Sequence, residues 1–492
     1  MVERLRLLCR FGQLHARRMV GLFIALMAVA LFVHLVTLSE QSQHLLDLCV
    51  GVPAAKYPEA SRIDGYCNDV NSITVDSDDG RELACLTEAG EYHLVQVVGL
   101  YRHGQRAPLK HVKHLSNLEK FVCGLPSMGG GWSGLDDVLL KRLSSNGKGV
   151  SGQLTFPLHP GKGEMACQLG QMTSVGFQQL SALGEHFRRR YVESGVIAGL
   201  GKNMRASNVQ VRSTAANRCM RSAAAFLTGL LTDQEVSVYV HVDGMFRVLS
   251  HGLHTAADMF KGVDLKCSRH LSTLSRTVAS SSEYRAMVET KLEPVMSSYS
   301  KLLDTARESM PLLMEICDNV QNQQCIKTES KPSDCPDPEH CVSQELLHQT
   351  LAACDAAFAL NYSLAHSKYL AHPLLQQIVL EMEKRLEQIQ VNPTVQNYDT
   401  PFVLFFGHET TLLAVLTALH SFDGVWPPLA SRLLFEVWRC RLPGCALHKV
   451  RILFNGKALQ GELTDAQGFI NFPAFTRHIE QHHSDFVREC SA

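Results

Sequence analysis

The residues with the clearest chemical potential form one run, YRHGQRAP, at positions 101–108. The eight residues before it, HLVQVVGL, are rich in β-branched and apolar side chains and predict a buried strand. A glycine and a proline end that strand, so Arg102, His103 and Arg106 emerge at its carboxyl end, where ligands bind in open α/β sheets. Guanidiniums match phosphate oxygens, and a neutral imidazole can attack phosphorus. The run predicts a phosphate site, with a basic surface loop as the structural alternative.

A later strand also ends in ionisable residues. Residues 400–411, TPFVLFFGHETT, contain a continuous apolar run typical of a strand buried on both faces. His408 and Glu409 follow it and lie at the start of a predicted helix, whose N-terminus attracts anions. A capped core histidine beside a helix-opening glutamate is the structural alternative.

Between these two strands the chain predicts a helix, then a strand, then a second helix. Residues 207–214, SNVQVRST, predict a strand that ends in Arg212, and a helix follows over 217–231. Residues 172–191 predict the first helix. Its apolar stripe consists of Val175, Gln179, Leu183 and Phe187. An arginine that closes a strand on the surface is the structural alternative for Arg212.

These four stretches, in this order, resemble the histidine acid phosphatase family. The resemblance carries over Arg-His-Gly-x-Arg-x-Pro, the helix that contains Gly176, the Arg-Ser-Thr end of the second strand, and the final His-Glu. It implies a metal-independent phosphoric monoester hydrolase that needs no cofactor, with His103 as nucleophile and Glu409 as proton donor. The substrate-binding residues that it implies are Arg102, Arg106, Arg212 and His408. The family usually has Leu at Met172 and Asp at Glu409, so the reach of the carboxyl group differs here.

The resemblance covers residues from about 91 to 492 and implies an α/β fold. In the family, a mostly parallel central sheet is flanked by helices, and a helical cap is inserted into this domain. Helical patterns at about 240–395, such as 283–303 and 374–389, fit that cap. Residues 426–438 and 450–456 predict final antiparallel strands.

The N-terminal region predicts a membrane anchor. Residues 19–38, MVGLFIALMAVALFVHLVTL, have the length and apolarity of a transmembrane helix. Five arginines precede it within residues 1–18, so the positive-inside rule places that tail in the cytoplasm and the rest across the membrane. A cleaved signal peptide is the alternative, but the run has no clean cleavage site. Residues 39–90 predict a polar stem, although its cysteines leave open that part of it is tied down.

The sixteen cysteines fit a lumenal domain, where disulfides persist. With Cys9 in the cytoplasm an odd number remains, so one thiol is free or pairs between chains, and a homodimer stays open. The close pairs Cys317/Cys325, Cys335/Cys341 and Cys440/Cys445 suggest local loops. Asn361 opens an Asn-Tyr-Ser glycosylation sequon. We therefore expect a single-pass type II protein of the Golgi membrane.

Composition limits the partners. The net charge of −1 provides no basic field for nucleic acid. The expected partner is a phosphorylated glycan, such as a 2-phosphorylated xylose in the linker of proteoglycans, or another phosphomonoester. A general secretory or lysophospholipid phosphatase, and a phospho-sugar-binding protein with weakened catalysis, stay open. His478, His482 and His483 have metal-site spacing, but a solvated helix face is the favoured interpretation.

Overall fold

The computed structural model describes most of the chain from residue 92 onwards and two pieces before it. The described residues are 66–70, 83, 92–123, 140–143, 152–154, 167–197, 200, 208–214, 216–231, 239–242, 273–274, 276–306, 310–326, 342–362, 364–391, 401–440 and 448–490. The predicted tail and anchor, residues 1–38, lie outside them. Within the described part of the chain, no helix is both long enough and apolar enough to cross a bilayer.

A mixed sheet forms the centre of the domain. Its described strands are β1 Tyr92–Arg102, β2 Leu140–Leu143, β3 Gly152–Leu154, β4 Val209–Ser213, β5 Tyr239–Val242, β6 Phe402–Gly407, β7 Arg432–Cys440, β8 His448–Phe454, β9 Lys457–Ala458 and β10 Phe469–Asn471. The order is β10-β8-β7-β1-β6-β4-β5-β2-β3, with β9 beside β8. Strands β1, β6, β4, β5 and β2 are parallel neighbours, whereas β7, β8, β9 and β10 pair antiparallel. The predicted mostly parallel sheet is thus wrong for one half, because short connections after β7 reverse the chain.

Helices cover both faces of the sheet. They are α1 Ser174–Phe187, α2 Asn217–Leu230, α3 Ser282–Met287, α4 Glu293–Leu302, α5 Leu313–Gln324, α6 Gln344–Asn361, α7 Leu364–Val391, α8 Glu409–Ala418 and α9 Phe472–Cys490. A π-helical turn, Arg188–Glu193, extends α1, and another, Val288–Leu292, joins α3 to α4. Helices α1 and α2 pack on one face, and α7, α8 and α9 pack on the other. The domain therefore has three layers.

The apolar stripe predicted for α1 is correct for three of its four members. Gln179, Leu183 and Phe187 are buried, but Val175 is 41% exposed. A step of four residues overshoots one helical turn by about 40°, so a stripe built on that step drifts around the helix. Phe177 and Leu180 occupy the buried face near the start of α1 instead.

Helices α3 to α6 have a small hydrophobic core of their own. Tyr299, Ile316, Leu347 and Leu351 belong to it, together with Val112 from the loop after β1. Helix α7, which the sequence analysis assigns to the cap, instead packs its apolar residues into the core beneath β1 and β6. In the described residues, the cap is therefore α3 to α6.

Three disulfides stabilise the described residues. They join Cys67 to Cys325, Cys123 to Cys167 and Cys317 to Cys354. The predicted local pair Cys317/Cys325 is wrong, because each cysteine has a more distant partner. Cys440 is disulfide-bonded as well, whereas Cys335 and Cys341 lie outside the described residues. Among the described cysteines, Cys219 is free and buried.

Candidate active site

The carboxyl ends of three parallel strands meet at one edge of the sheet. Arg102 at the end of β1 lies opposite Gly407 of β6, and Phe406 lies opposite Ser213 of β4. The chain then leaves each strand at the same level, since His103 N donates to Gly407 O at 3.2 Å and Thr214 N donates to Phe406 O at 3.1 Å. This register brings the first motif and the His408-Glu409 pair into one pocket.

A close approach of two backbones shapes the loop that carries His103. A Cβ atom on Gly104 would lie 2.3 Å from the carbonyl oxygen of Gly176, and one on Gly176 would lie 2.2 Å from that of Gln105. Only glycine fits at both positions. Thr173 caps α1 through Gly176 N and also donates to the Gln105 side chain. The start of α1 therefore fixes the backbone on either side of His103.

The hydrogen bonds of His103 define which ring nitrogen can act as a nucleophile. Nδ1 lies 2.8 Å from Gly104 O, which can only accept, so Nδ1 carries the proton. Nε2 keeps its lone pair and lies 3.6 Å from Glu409 Oε2. Burial, helped by the guanidiniums of Arg218, Arg102 and Arg106, lowers the pKa of His103 to about 3. The imidazole is therefore neutral at ordinary pH.

Arg102 is fixed on three sides. Its Nε donates to Glu409 Oε2 at 3.2 Å, its Nη1 donates to Pro427 O, and its Nη2 donates to the Tyr66 hydroxyl at 3.2 Å. The side chain is 1% exposed. Such anchoring holds the planar guanidinium in one orientation, which bidentate recognition of an oxyanion requires.

Arg106 is held by a carboxylate from the cap. Its Nη2 donates to Asp318 Oδ1 at 2.6 Å, and its Nη1 donates to Oδ2 at 3.2 Å. Asp318 Oδ2 also accepts from Leu109 N. Although burial opposes the charge, Asp318 raises the pKa of Arg106 above its usual value. Helix α5 of the cap therefore completes the pocket from outside the sheet.

His408 connects β6 to α2. Arg218 Nη2 lies 3.1 Å from His408 Nδ1, and since a guanidinium can only donate, Nδ1 is the acceptor. His408 Nε2 then carries the proton, which it donates to Thr214 Oγ1 at 3.1 Å. Burial first, and then Arg218 and His103, lower the pKa of His408 well below its usual value. The ring centroid of His408 lies 5.6 Å from that of His103.

Glu409 is ionised in this pocket. Burial alone would raise its pKa, but Arg102, the hydrogen bond with His103 and Arg106 hold the pKa well below its usual range. The carboxylate contacts both Arg102 and His103 through the same oxygen, Oε2. It lies at the start of α8, where the helix dipole also favours a negative charge.

Arg212 does not join the other predicted site residues. Its side chain leaves the sheet on the face opposite Val211 and lies over the Phe405 ring, with 5.5 Å between the guanidinium carbon and the ring centroid. Helix α2 packs on the Val211 face, and Arg218 in its first turn contacts His408. A cation in the first turn of a helix opposes the helix dipole. That mismatch was the signal in the sequence that could have identified Arg218.

Three buried nitrogens of this pocket have no hydrogen-bond partner among the described residues. They are His103 Nε2, Arg106 Nε and Arg218 Nε. Leaving buried polar atoms unpaired is costly, and two of these three belong to cations. The pocket is therefore suited to an anion that offers several oxygen acceptors.

The same pocket contains three potential metal ligands. Donor atoms of His103, His408 and Glu409 all lie within 4.8 Å of one another. The guanidiniums of Arg102, Arg106 and Arg218 perturb the pKa values of these residues, so they lie close enough to repel a cation. The charge balance favours an oxyanion over a metal ion.

The predicted C-terminal metal spacing involves residues of α9. His478 Nε2 lies 3.3 Å from Ala418 O, which makes the ring a helix-packing contact. The side chains of His482 and His483 lie outside the described atoms.

A model of the histidine phosphatase superfamily, branch 2, matches residues 93–455. The chain belongs to this family. The match spans the strand before His103, the cap and the last strands of the sheet, and it confirms that the chain is a phosphoric monoester hydrolase.

Curated relatives agree with the family match. The chain is 24% identical over 464 residues to 2-phosphoxylose phosphatase 1 of Homo sapiens, with 88% of this chain and 87% of that protein covered. It is 27% identical over 274 residues to lysophosphatidic acid phosphatase type 6 of Mus musculus, with 55% and 58% covered. Among solved structures, a Hafnia alvei phytase in complex with myo-inositol hexakis sulphate is similar, with a TM-score of 0.51, 14% identity, and 80% of this chain and 98% of that chain covered. That likeness concerns the fold alone.

Proposed function

We propose that the chain hydrolyses a phosphomonoester in two steps, with His103 Nε2 as the nucleophile. The observation that carries this proposal is the buried lone pair of Nε2, which lacks a hydrogen-bond partner among the described residues. In the first step Nε2 bonds to phosphorus while the bond from phosphorus to the leaving oxygen breaks. In the second step water attacks the phosphohistidine, the P–N bond breaks, and inorganic phosphate leaves.

Positive charge around His103 stabilises the phosphoryl group as it transfers. Arg102 and Arg106 are oriented by Glu409 and Asp318, so binding costs them little reorganisation. Arg218 is oriented by His408 and keeps Nε available for the substrate. We assign to Arg218 the role that the sequence analysis gave to Arg212.

Glu409 moves the protons in both steps. In the free pocket it is ionised, which suits a base but not an acid. A bound phosphate brings negative charge next to the carboxylate and offsets Arg102 and Arg106, so it raises the pKa of Glu409 in the complex. The carboxyl group can then protonate the leaving alkoxide, and as a carboxylate it takes a proton from the attacking water. Glu409→Asp retains this chemistry with a shorter reach.

For the substrate we propose a 2-phosphorylated xylose in the glycosaminoglycan linker of a proteoglycan. Support comes from the similarity to human 2-phosphoxylose phosphatase 1 along most of both chains. A type II anchor at residues 19–38 in the Golgi membrane, with the catalytic domain in the lumen, fits this substrate. The disulfides support an oxidising compartment as well.

A lysophospholipid is the second candidate substrate. It is favoured by the 27% identity to mouse lysophosphatidic acid phosphatase type 6, although this covers only 55% of the chain. A sugar phosphate and a lysophospholipid differ in the leaving group that the cap must accept, so the two candidates separate by direct assay.

The full chain, purified in detergent, is assayed on three substrates: a 2-phosphoxylosyl oligosaccharide, lysophosphatidic acid and 4-nitrophenyl phosphate. We expect kcat/KM to be highest for the oligosaccharide. His103→Ala should lower turnover of all three by at least about a thousandfold. Faster hydrolysis of lysophosphatidic acid would replace the proposed substrate, and turnover that survives in His103→Ala would remove the proposed nucleophile.

A further inference from the structure

A short N-terminal segment, Tyr66–Val70, lies against the phosphate pocket and is named here the strap. Tyr66 is 6% exposed. Its hydroxyl accepts from Arg102 Nη2 at 3.2 Å, and its ring lies over the same guanidinium, with 5.3 Å between the guanidinium carbon and the ring centroid. One residue, far from the motif in sequence, thus contacts Arg102 both through its ring and through its hydroxyl.

The backbone of the strap is tied to the segment that holds the other side of Arg102. Leu429 N donates to Tyr66 O at 2.9 Å, and Asn68 Nδ2 donates to Leu429 O at 2.7 Å. Pro427, two residues earlier, accepts from Arg102 Nη1. The guanidinium therefore lies between the strap and a loop to which the strap is hydrogen-bonded.

Two further connections join the strap to Gln105, which lies between His103 and Arg106. Gln179 Nε2 donates to Cys67 O and Asn68 O, while its Oε1 accepts from Gln105 N at 2.8 Å. Cys67 forms a disulfide with Cys325, whose carbonyl accepts from Gln105 Nε2 at 2.8 Å. Movement of the strap would disturb the nucleophile loop through both connections.

The charge state of Tyr66 suits a positioning role. Burial raises the pKa of Tyr66, and the guanidiniums of Arg102 and Arg106 only partly oppose that effect. The phenol therefore stays neutral at ordinary pH. A neutral hydroxyl holds Arg102 without cancelling its charge, unlike the carboxylate of Glu409 on the other side.

We propose that the strap is part of the phosphate pocket: Tyr66 positions Arg102 for phosphate binding, and the Cys67–Cys325 disulfide holds Tyr66 in place. The proposal rests on the phosphatase function proposed above. It makes a segment that composition assigns to a membrane stem necessary for full affinity. Tyr66 is a positioning residue because it acts through Arg102.

The affinity of the full chain for inorganic phosphate, measured by calorimetry, tests this role. Tyr66→Phe keeps the ring over Arg102 and removes only the hydroxyl, so we expect Kd to rise about tenfold, as for a lost hydrogen bond to a charged group. Tyr299→Phe is the matched control. It removes an equally buried hydroxyl that bonds Thr350 in the cap, and Kd should stay within about twofold of wild type.

The disulfide is tested by coupling. In the double variant Cys67→Ser/Cys325→Ser, Kd should rise as well, and adding Tyr66→Phe should then weaken binding by less than it does in the wild-type background. Equal phosphate affinity in wild type and Tyr66→Phe would overturn the role of Tyr66, and fully additive effects would overturn the clamping role of the disulfide. A wild-type chain that binds no phosphate would instead overturn the proposed function, and the strap's role with it.

Discussion

The two halves of the sheet both bury charged side chains, but they use them differently. In the parallel half, charges lie at the carboxyl ends of β1 and β6, and three of the surrounding nitrogens have no partner among the described residues. In the antiparallel half, Glu436 lies in the middle of β7. Its Oε1 accepts from the Tyr191 hydroxyl at 2.7 Å and from Arg190 Nη2 at 3.3 Å.

The difference teaches how position in a strand decides what a buried charge does. A residue in the middle of a strand is enclosed by neighbouring strands and a helix, so its partners must come from the protein. A residue at a strand end faces a gap between loops, where a ligand can supply the partner. Burial alone therefore does not identify a site. The site is the buried cluster with nitrogens that the protein leaves unpaired.

The largest contrast is expected between Arg218 and Arg212. Arg218→Ala should lower kcat/KM by about a hundredfold to a thousandfold, the range seen when a preorganised donor to a transition state is removed. Arg212→Ala changes the same residue type six positions away and should lower it less than about threefold, within the additivity range of a site without substrate contact. Steady-state kinetics on 4-nitrophenyl phosphate measures both. The reverse ranking would return the third phosphate-binding arginine to β4.

Glu409→Gln should separate proton donation from phosphate binding. For a sugar phosphate, whose leaving oxygen needs a proton, kcat/KM should fall about a hundredfold. For 4-nitrophenyl phosphate, whose leaving group departs as an anion, the fall should be about tenfold or less. Glu409→Asp is the control, because it keeps the carboxyl group and should show no such dependence. Equal losses on both substrates would exclude Glu409 as the acid of the first step.

Glu436→Gln tests the other half of the sheet. Removing the carboxylate leaves the buried guanidinium of Arg190 without that counter-charge, so the free energy of unfolding should fall by about 3–5 kcal/mol. The activity of the folded fraction should not change. Glu185→Gln is the control, because it breaks an exposed pair with Arg189 that contributes about 0.5 kcal/mol or less. Chemical denaturation followed by activity titration gives both quantities; a loss of kcat without a loss of stability would contradict the distinction between the two halves.

The pH dependence gives the smallest expected effect. Because burial lowers the pKa of His103 to about 3, the nucleophile stays neutral between pH 4 and 7. An ordinary histidine would lose about 300-fold of its neutral form at pH 4. The acid limb of kcat/KM should therefore follow the second ionisation of the substrate phosphate. It should shift between an alkyl phosphate and a nitro-substituted aryl phosphate. A limb fixed near pH 6.5 for both substrates would show an unperturbed histidine.

The sequence was sufficient to predict the elements that carry the site. An apolar run that ends in charged residues predicts a strand and its exit point, and β1 and β6 follow that rule. Arg102, His103, Arg106, His408 and Glu409 consequently lie in one pocket, although their roles in catalysis stay predictions.

The sequence could not predict contacts that depend on packing between distant segments. Arg212 and Arg218 both flank the end of β4, and only strand alternation against α2 decides which one reaches His408. Asp318 and Tyr66 reach the pocket from the cap and from the stem, without a local pattern that indicates charge pairing. The partners of Cys317 and Cys325 likewise follow from the fold, because spacing alone leaves connectivity open.

The most direct measurement is to trap the phosphorylated intermediate on the full chain. The protein is mixed with phosphate-labelled 4-nitrophenyl phosphate and quenched within milliseconds, and the labelled peptide is identified by mass spectrometry. We predict label on His103 in wild type and none in His103→Ala. A wild-type protein that turns over substrate while the label appears on another residue, or on none, would contradict the account.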